Sequence, residues 1–532
     1  MNPLITGLLN PAAYAHPVAE TRLIETHISW VILAGDYAYK IKKPINFGFL
    51  DFSSLEKRHH FCSEEIRLNT RLAPDHYLAV VAITGTTKAP RMEGAGPALE
   101  WAVKMRAFPA DATLDREAQI TTDQIDAIAD QIAAFHEGIA ATPPDSAYGS
   151  PETVAEPVAT NFAQLHTLLK DPNGDTDPLL NDLQAWSQRE GERLAAHFTA
   201  RKANGCIREC HGDLHLGNIA WVDEKPLIFD ALEFNPALRH IDVISEIAFL
   251  VMDLRHRGRP ELAWRLLNRY LEQSGDGCNG YPGIQALPYY LVYRAMVRAK
   301  VSALQASQSG RDFSECQTYL QLAHRLAHDR RPALVLMHGV SGSGKTWLSQ
   351  HLLELLGAIR LRSDVVRKRL FGLKPLQNSV TGSTTGLTTT PGGIYTQEAS
   401  ARTLASLLDQ ARASLAAGFL TIIDATFIHR SWRAPFQALA EELGVACQIV
   451  SVEAPSDILQ ARIAQRQKNA ADASEADAAV LASQLANLQP FTPEEDAHVL
   501  HLGGNWTTAE AIARLRARLP ALPPAQPQAP SQ

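Results

Sequence analysis

Two short stretches of this 532-residue chain combine residue types at spacings suited to holding a triphosphate. The first, Gly339-Val340-Ser341-Gly342-Ser343-Gly344-Lys345-Thr346, fills every position of the Walker A pattern G-x-x-x-x-G-K-S/T. Its glycines let backbone N–H groups turn inward around a polyphosphate, and at a helix N-terminus those donors and the helix dipole both favour negative charge. Lys345 supplies a mobile positive charge to the outer phosphates, and Thr346 offers its hydroxyl to Mg2+. The second stretch, His211-Gly212-Asp213-Leu214-His215-Leu216-Gly217-Asn218, fits H-x-D-L-x-x-x-N, with Ile228-Phe229-Asp230 downstream. In phosphoryl transfer Asp213 would orient or deprotonate an acceptor hydroxyl, while Asn218 and Asp230 would hold the Mg2+ ions that bridge the phosphates.

Further candidates flank both stretches. Asp364, after the apolar run Ala358 to Leu361, has the position for a base beside the nucleotide crevice, and Arg367, one helical turn on, for a phosphate clamp. The plain alternative is a helix N-cap Asp followed by a surface Arg. Asp424 ends Leu420-Thr421-Ile422-Ile423, as a Walker B acid supporting Mg2+ would. Arg462 and Arg466, spaced i,i+4, suit a lid over the triphosphate, or simply a solvated helix face. Upstream, Tyr37-Ala38-Tyr39-Lys40-Ile41-Lys42 reads as a strand with both lysines on one face, Lys40 as the phosphate-gripping lysine and Lys42 as runner-up. Glu64 or Glu65, opening a helical run to Leu72, would pair with it, Glu65 being preferred.

These residues need elements to position them. Residues 20 to 110 read as strand-rich with one helix, and 115 to 330 as mostly helical, with a loop-dense interruption near 205 to 235. Asp329-Arg330-Arg331-Pro332 is polar and precedes an apolar strand, so the reading divides the chain into domains at 1–328 and 332–515. In the second, the runs Ala333 to Met337, Ala358 to Leu361, Leu420 to Ile423, Cys447 to Val452 and His498 to Leu502 alternate with helical patterns, which implies a parallel sheet covered by helices. Pro375 to Gly393 reads as a flexible loop, and 520–532, rich in Pro, Ala and Gln, as a disordered tail.

The composition, 45% apolar and 20% charged, is that of an ordinary globular protein, and the net charge of -7 disfavours nucleic acid as a partner. The six cysteines, Cys62, Cys206, Cys210, Cys278, Cys316 and Cys447, lack paired zinc spacing. They read as reduced thiols in a cytoplasmic protein, with Cys206 and Cys210 flanking a strand that enters the catalytic loop rather than binding metal with His211. No secretory leader or membrane span is expected.

HGDLHLGN with Asp230 resembles the Brenner-type signature of the aminoglycoside phosphotransferase family of kinase-like proteins. Within the same pattern, from Phe229 to Asp242, lie Glu233 and Asn235, with Arg239 and Asp242 as supports for the catalytic loop. The C-terminal half, with its Walker loop, Asp364 and Arg367, Asp424, and Arg462 and Arg466, is similar to the AAA-type, zeta-toxin-related P-loop kinases that include polynucleotide and gluconate kinases. The fusion resembles a bacterial group of bifunctional aminoglycoside phosphotransferase/ATP-binding proteins. One departure stands out: no G-x-G-x-x-G loop precedes the lysine strand, only Ala34-Gly35-Asp36.

The resemblance implies an α+β protein-kinase-like bilobal domain followed by an α/β P-loop domain. It also implies ATP- and Mg2+-dependent transfer to small-molecule hydroxyl acceptors. The competing readings are an ATP-binding switch with a sensing kinase-like domain, and a nucleic-acid 5'-end kinase.

Overall fold

The computed structural model describes residues 2–48, 50–170, 177–274, 281–379, 393–469, 473–504 and 506–519. Cys278, most of the Pro375 to Gly393 segment and the 520–532 tail lie outside the described residues.

An antiparallel sheet opens the chain, in the order β1 (Thr21–Glu25), β2 (Ser29–Ala34), β3 (Tyr37–Lys42), β6 (Glu100–Arg106), β4 (Tyr77–Thr86), β5 (Ala89–Met92). The alternation that puts Lys40 and Lys42 on one face of β3 aims both at the helix Leu55–Asn69, which packs against β4 and β6. That helix starts well before the Glu64-to-Leu72 run expected from sequence, because Ser54 caps it by accepting from the Lys57 N–H. Its first turns are polar and hide the apolar stripe, so Glu64 and Glu65 stand mid-helix.

The lysine strand also corrects the view of the missing glycine loop. Ala34-Gly35-Asp36 forms the β2–β3 turn, at the end of β3 away from Lys42. The turn on the Lys42 side is Thr26–Ser29 between β1 and β2, closed by Thr26 N–H to the Ser29 carbonyl at 2.9 Å and containing no glycine.

Among the described residues seven long helices follow, interrupted by two small ribbons: β7 (Ile207–Glu209) with β10 (His240–Asp242), and β8 (Ile219–Val222) with β9 (Lys225–Ile228). The loops between these short strands hold the HGDLHLGN stretch and Asp230. Beneath them runs the helix Val243–His256, whose residues Val243 to Leu254 are all buried. Each buried Leu, Ile or Val there contributes about 1.5–3 kcal/mol. Glu246 and Asp253 are the acids in this segment, and at such depth they must find partners.

Among the described residues the second half is built on a parallel five-stranded sheet, order β12 (Ala358–Arg362), β13 (Leu420–Asp424), β11 (Ala333–His338), β14 (Ala446–Val452), β15 (Val499–Leu502). Each strand coincides with an expected apolar run, since a parallel strand covered on both faces reads as continuous hydrophobicity. Edge strand β12 is covered by the helix Pro260–Ser274 from the first half. The Asn268 amide donates to the Ala358 carbonyl at 2.8 Å and accepts from the Arg360 N–H at 2.7 Å, satisfying backbone groups that a bare edge would leave open. Arg265 to Glu354 at 2.8 Å and the Tyr281 hydroxyl to the Arg360 carbonyl at 3.0 Å add to the same contact.

Candidate functional site

In the first half, Lys40 reaches Asp230 at 2.5 Å and Glu65 at 2.8 Å. Lys42 lies deeper, fully buried between Glu65 at 2.7 Å and Glu233. Glu65 is therefore shared by both lysines, whereas Glu64 turns away to Arg67 and Arg239. Burial pushes the Glu65 carboxyl up, but the two ammonium groups outweigh it and hold it below the ordinary value.

Asp230 sits just past β9 with φ +64°, a left-handed conformation uncommon outside glycine. The surroundings hold it there: the Asp230 N–H donates to the Tyr77 hydroxyl at 3.1 Å and the Ala231 N–H to the Asn69 side-chain oxygen at 2.8 Å. The Asn218 amide nitrogen donates to the Asp213 carbonyl at 2.9 Å and reaches its carboxylate at 3.3 Å, which leaves the Asn218 carbonyl oxygen for a cation. Oxygen donors from Asn218 and Asp230 suit Mg2+. Asp213 stays 39% exposed, with His215 Nε2 at 3.5 Å. Burial acts against both charges, yet the pair prevails: Asp213 lies well below the usual carboxylate range and His215 is raised.

Sequence reasoning missed what suspends this loop. Glu246 accepts the His211 and Gly212 N–H groups at 2.6 and 2.8 Å, Asp253 accepts the Leu216 N–H at 2.9 Å, and Arg294 donates to the Gly212 carbonyl at 3.2 Å. Arg239 and Asp242, read as the loop's supports, act one layer out. Arg239 bonds Glu209 at 3.0 Å, and Asp242 caps its helix and pairs with Arg201 at 2.5 and 2.7 Å. A signal for Glu246 and Asp253 existed: two acids seven residues apart fall on one face of an otherwise apolar helix.

Glu246 also predicts an acid-sensitive fold. Burial raises its carboxyl, but the His136 ring, the His211 charge and the Gly212 N–H outweigh that and hold it at about 2, against an ordinary 4.5. A depressed carboxyl stabilises the fold above its unfolded value, and the contribution disappears as pH falls from about 4.5 to about 2. Urea unfolding across that window should show a loss on the order of 3 kcal/mol from this group. Glu246→Gln should remove that part of the slope; an unchanged slope in the variant would assign the acid sensitivity elsewhere.

The Walker loop runs from the end of β11 into the helix Lys345–Leu356. Gly339, at φ +137°, admits no side chain, because a Cβ would come within 2.4 Å of the Val452 carbonyl. Lys345 Nζ donates to the Val340 carbonyl at 2.9 Å, and Arg462 donates to the Gly342 and Ser343 carbonyls at 3.2 and 3.0 Å. Gln484, absent from the sequence reading, accepts the Ser341 N–H at 2.7 Å.

A cavity of about 560 Å³ opens here, lined by Ser341, Gly342, Gly344, Lys345, Thr346, Asp364, Arg367, Asp424, Arg462 and Arg466 among others. Gly339, Val340 and Ser343 belong to the same loop without lining it. Asp364 stands in the first turn of the helix Ser363–Leu370, whose N-cap is Arg362, so the N-cap reading of this acid does not hold. Arg367 donates to the Ile394 carbonyl and the Ser400 hydroxyl, both at 3.1 Å, and Arg466 to the Ala476 carbonyl at 2.8 Å. The hydroxyl of Thr346 and the carboxylate of Asp424 again form an oxygen set that suits Mg2+.

The phosphotransferase enzyme family matches residues 59–287, and an AAA domain matches residues 334–491. With the two folds and two polar constellations, these matches define an ATP-binding phosphotransferase built from a kinase-like module and a P-loop kinase module. The chain belongs to one family with the uncharacterized protein Rv2004c of Mycobacterium tuberculosis, 32% identical over 484 residues that cover 89% of this chain and 92% of that protein. A Mycobacterium bovis protein matches with the same identity and coverage.

Among solved structures, choline kinase from Cryptosporidium parvum is 11% identical, with a TM-score of 0.39 and coverage of 60% of this chain and 94% of that one. A gluconokinase from Sinorhizobium meliloti is 20% identical, with a TM-score of 0.25 and coverage of 36% and 93%. Both resemble the chain only loosely. No helix among the described residues is long and apolar enough to cross a membrane.

Proposed function

We propose that the chain is a cytoplasmic enzyme with two separate Mg2+-dependent phosphoryl-transfer centres, in modules spanning 1–328 and 332–515, each acting on a small-molecule hydroxyl. In the first, Lys40, held by Glu65, grips the phosphates, Asp213 is the base, and Asn218 and Asp230 are the cation ligands. In the second, residues Gly339 to Thr346 cradle the triphosphate, Asp364 is the base, Arg367 clamps phosphate, and Arg462 and Arg466 close from the lid. Thr346 and Asp424 hold the cation there. Bound Mg2+ would neutralise charge on the phosphate oxygens.

At each centre the acceptor oxygen bonds to the γ-phosphorus as the bond to the β-phosphate oxygen breaks. The acceptor proton passes to the carboxylate, and ADP leaves. The loose transition state needs alignment and charge neutralisation more than covalent help, which suits sites built from carboxylates, ammonium groups and backbone N–H donors.

The observation that supports this most is convergence. Lys40, Glu65 and Asp230, up to 190 residues apart in sequence, meet in one ion-paired set. What sets this group apart from the chain's other long-range ion pairs is that it joins the strand lysine and the downstream acid of the two motifs.

The test is a metabolite-pool screen with γ-labelled ATP, using the full chain, Asp213→Asn, Asp364→Asn and the double variant. Each single variant should lose a different set of labelled products, and the double variant should lose all of them. Retention of every product by both single variants would refute the two-base assignment. Labelling of a 5'-hydroxyl oligonucleotide alone would move the second centre to nucleic-acid ends.

A further inference from the structure

The Walker B acid Asp424 is 6% exposed and does not stand alone in its pocket. Ser349, one turn into the helix that follows the Walker loop, donates either to Asp424 Oδ2 or to the Thr346 carbonyl, both at 3.1 Å. Arg360 Nη1 presses on that hydroxyl at 3.3 Å, and Arg362 Nε lies 3.9 Å from Asp424 Oδ2. One guanidinium group therefore lies at ion-pair distance from the carboxylate that a cation would have to share, and a second reaches it through the Ser349 hydroxyl.

Both are anchored by a residue of the other half of the chain. Glu272, near the end of the helix Pro260–Ser274, accepts from Arg360 Nε at 3.1 Å and Nη2 at 2.7 Å, and its second oxygen lies 3.6 Å from Arg362 Nη1. Arg360 and Glu272 are each about 5% exposed, so solvent screens little of this arrangement. Arg369 donates to the Glu272 carbonyl at 2.8 Å, which fixes the backbone that presents the carboxylate.

We infer that Glu272 is a positioning residue for the P-loop centre, supplied by the kinase-like half: it holds Arg360 and competes with Asp424 for Arg362, so that this carboxylate stays available to a divalent cation. Neutralising Glu272 would turn both guanidinium groups toward Asp424, and a carboxylate committed to arginine is a poor cation ligand. The P-loop module is then complete only with the helix Pro260–Ser274 docked on β12. The inference rests on the reading of Asp424 as a cation ligand.

The test measures binding of fluorescent N-methylanthraniloyl-ATP to the full chain with and without Mg2+, taking the share abolished by Lys345→Ala as the P-loop signal. Glu272→Gln should weaken the Mg2+-dependent affinity about ten-fold, the usual cost of losing an outer partner of a metal ligand, while Mg2+-free affinity stays within about two-fold. Glu272→Asp should recover most of the loss. The double variant Glu272→Gln, Arg362→Gln removes the guanidinium nearest Asp424 together with the charge that draws it away, so it should return the Mg2+-dependent affinity toward the wild-type value, and it serves where Glu272→Gln folds poorly.

Wild-type Mg2+ dependence in Glu272→Gln, or no recovery in the double variant, beside a loss in Asp424→Asn, would overturn the role of Glu272 and leave Asp424 as ligand. Equal weakening with and without Mg2+ would also overturn it, by reducing Glu272 to a packing role. Unchanged Mg2+ dependence in Asp424→Asn would remove the ligand reading itself, and the inference with it.

Discussion

Asp213→Asn is expected to lower acceptor-dependent transfer by the kinase-like module about 10²–10⁴-fold, the range for losing a positioned general base, with ATP affinity nearly unchanged. The carboxamide has the shape of the carboxylate. The Asn218 bond to the residue-213 carbonyl at 2.9 Å involves only backbone on the acceptor side, so it survives. The loop's suspension from Glu246 and Asp253 is also untouched.

What disappears is the charge that receives the acceptor proton and the partner that raises His215. The His215 ring should then titrate lower in the variant, a shift that NMR of the imidazole can follow. A fall of less than about ten-fold with saturating acceptor would mean that Asp213 is not the base, and the unchanged binding would show that the site itself had survived.

Those two acids also mark where the sequence stopped being readable. The five strands β11 to β15 were legible because burial on both faces writes continuous apolar runs, and the Walker loop because its defining residue types fall within eight consecutive positions. Lys40 and Lys42 shared a face by simple alternation. Which glutamate met them was a choice between neighbours, and helix geometry decided it.

Glu246, Asp253, Arg294 and Glu272 were missed for a common reason: each works across 34 to 88 residues of sequence, from a side chain to a partner whose position only the tertiary fold decides. Spacing, even the seven residues between Glu246 and Asp253, does not name the partner of such a contact. The clue is a charge inside an apolar helix, which says that a partner exists without saying where. The Thr26–Ser29 turn was missed for a different reason, since its backbone closes without glycine or proline and carries no turn signature.

Lys345→Ala is expected to cost the P-loop module about 10²–10³-fold in transfer, the range for removing one preorganised electrostatic contact to a reacting group, while transfer by the kinase-like module persists. The Lys345 side chain is buried and its ammonium donates to the Val340 carbonyl, so the loop is already curled around the charge. Nucleotide binding needs only a swing of that ammonium from the carbonyl to phosphate oxygens, and little ordering is left to do at the moment of binding.

Arg462 lines the same cavity, but its guanidinium is engaged by the Gly342 and Ser343 carbonyls at 3.2 and 3.0 Å, so it does not take over the contact that Lys345 makes. Loss of the Val340 bond costs the fold only about 1 kcal/mol, so the melting temperature should barely move. Lys345→Arg should not rescue transfer, since a planar fork has no room where a compact ammonium is held. Wild-type P-loop nucleotide affinity in Lys345→Ala would mean that the triphosphate does not lie in this loop.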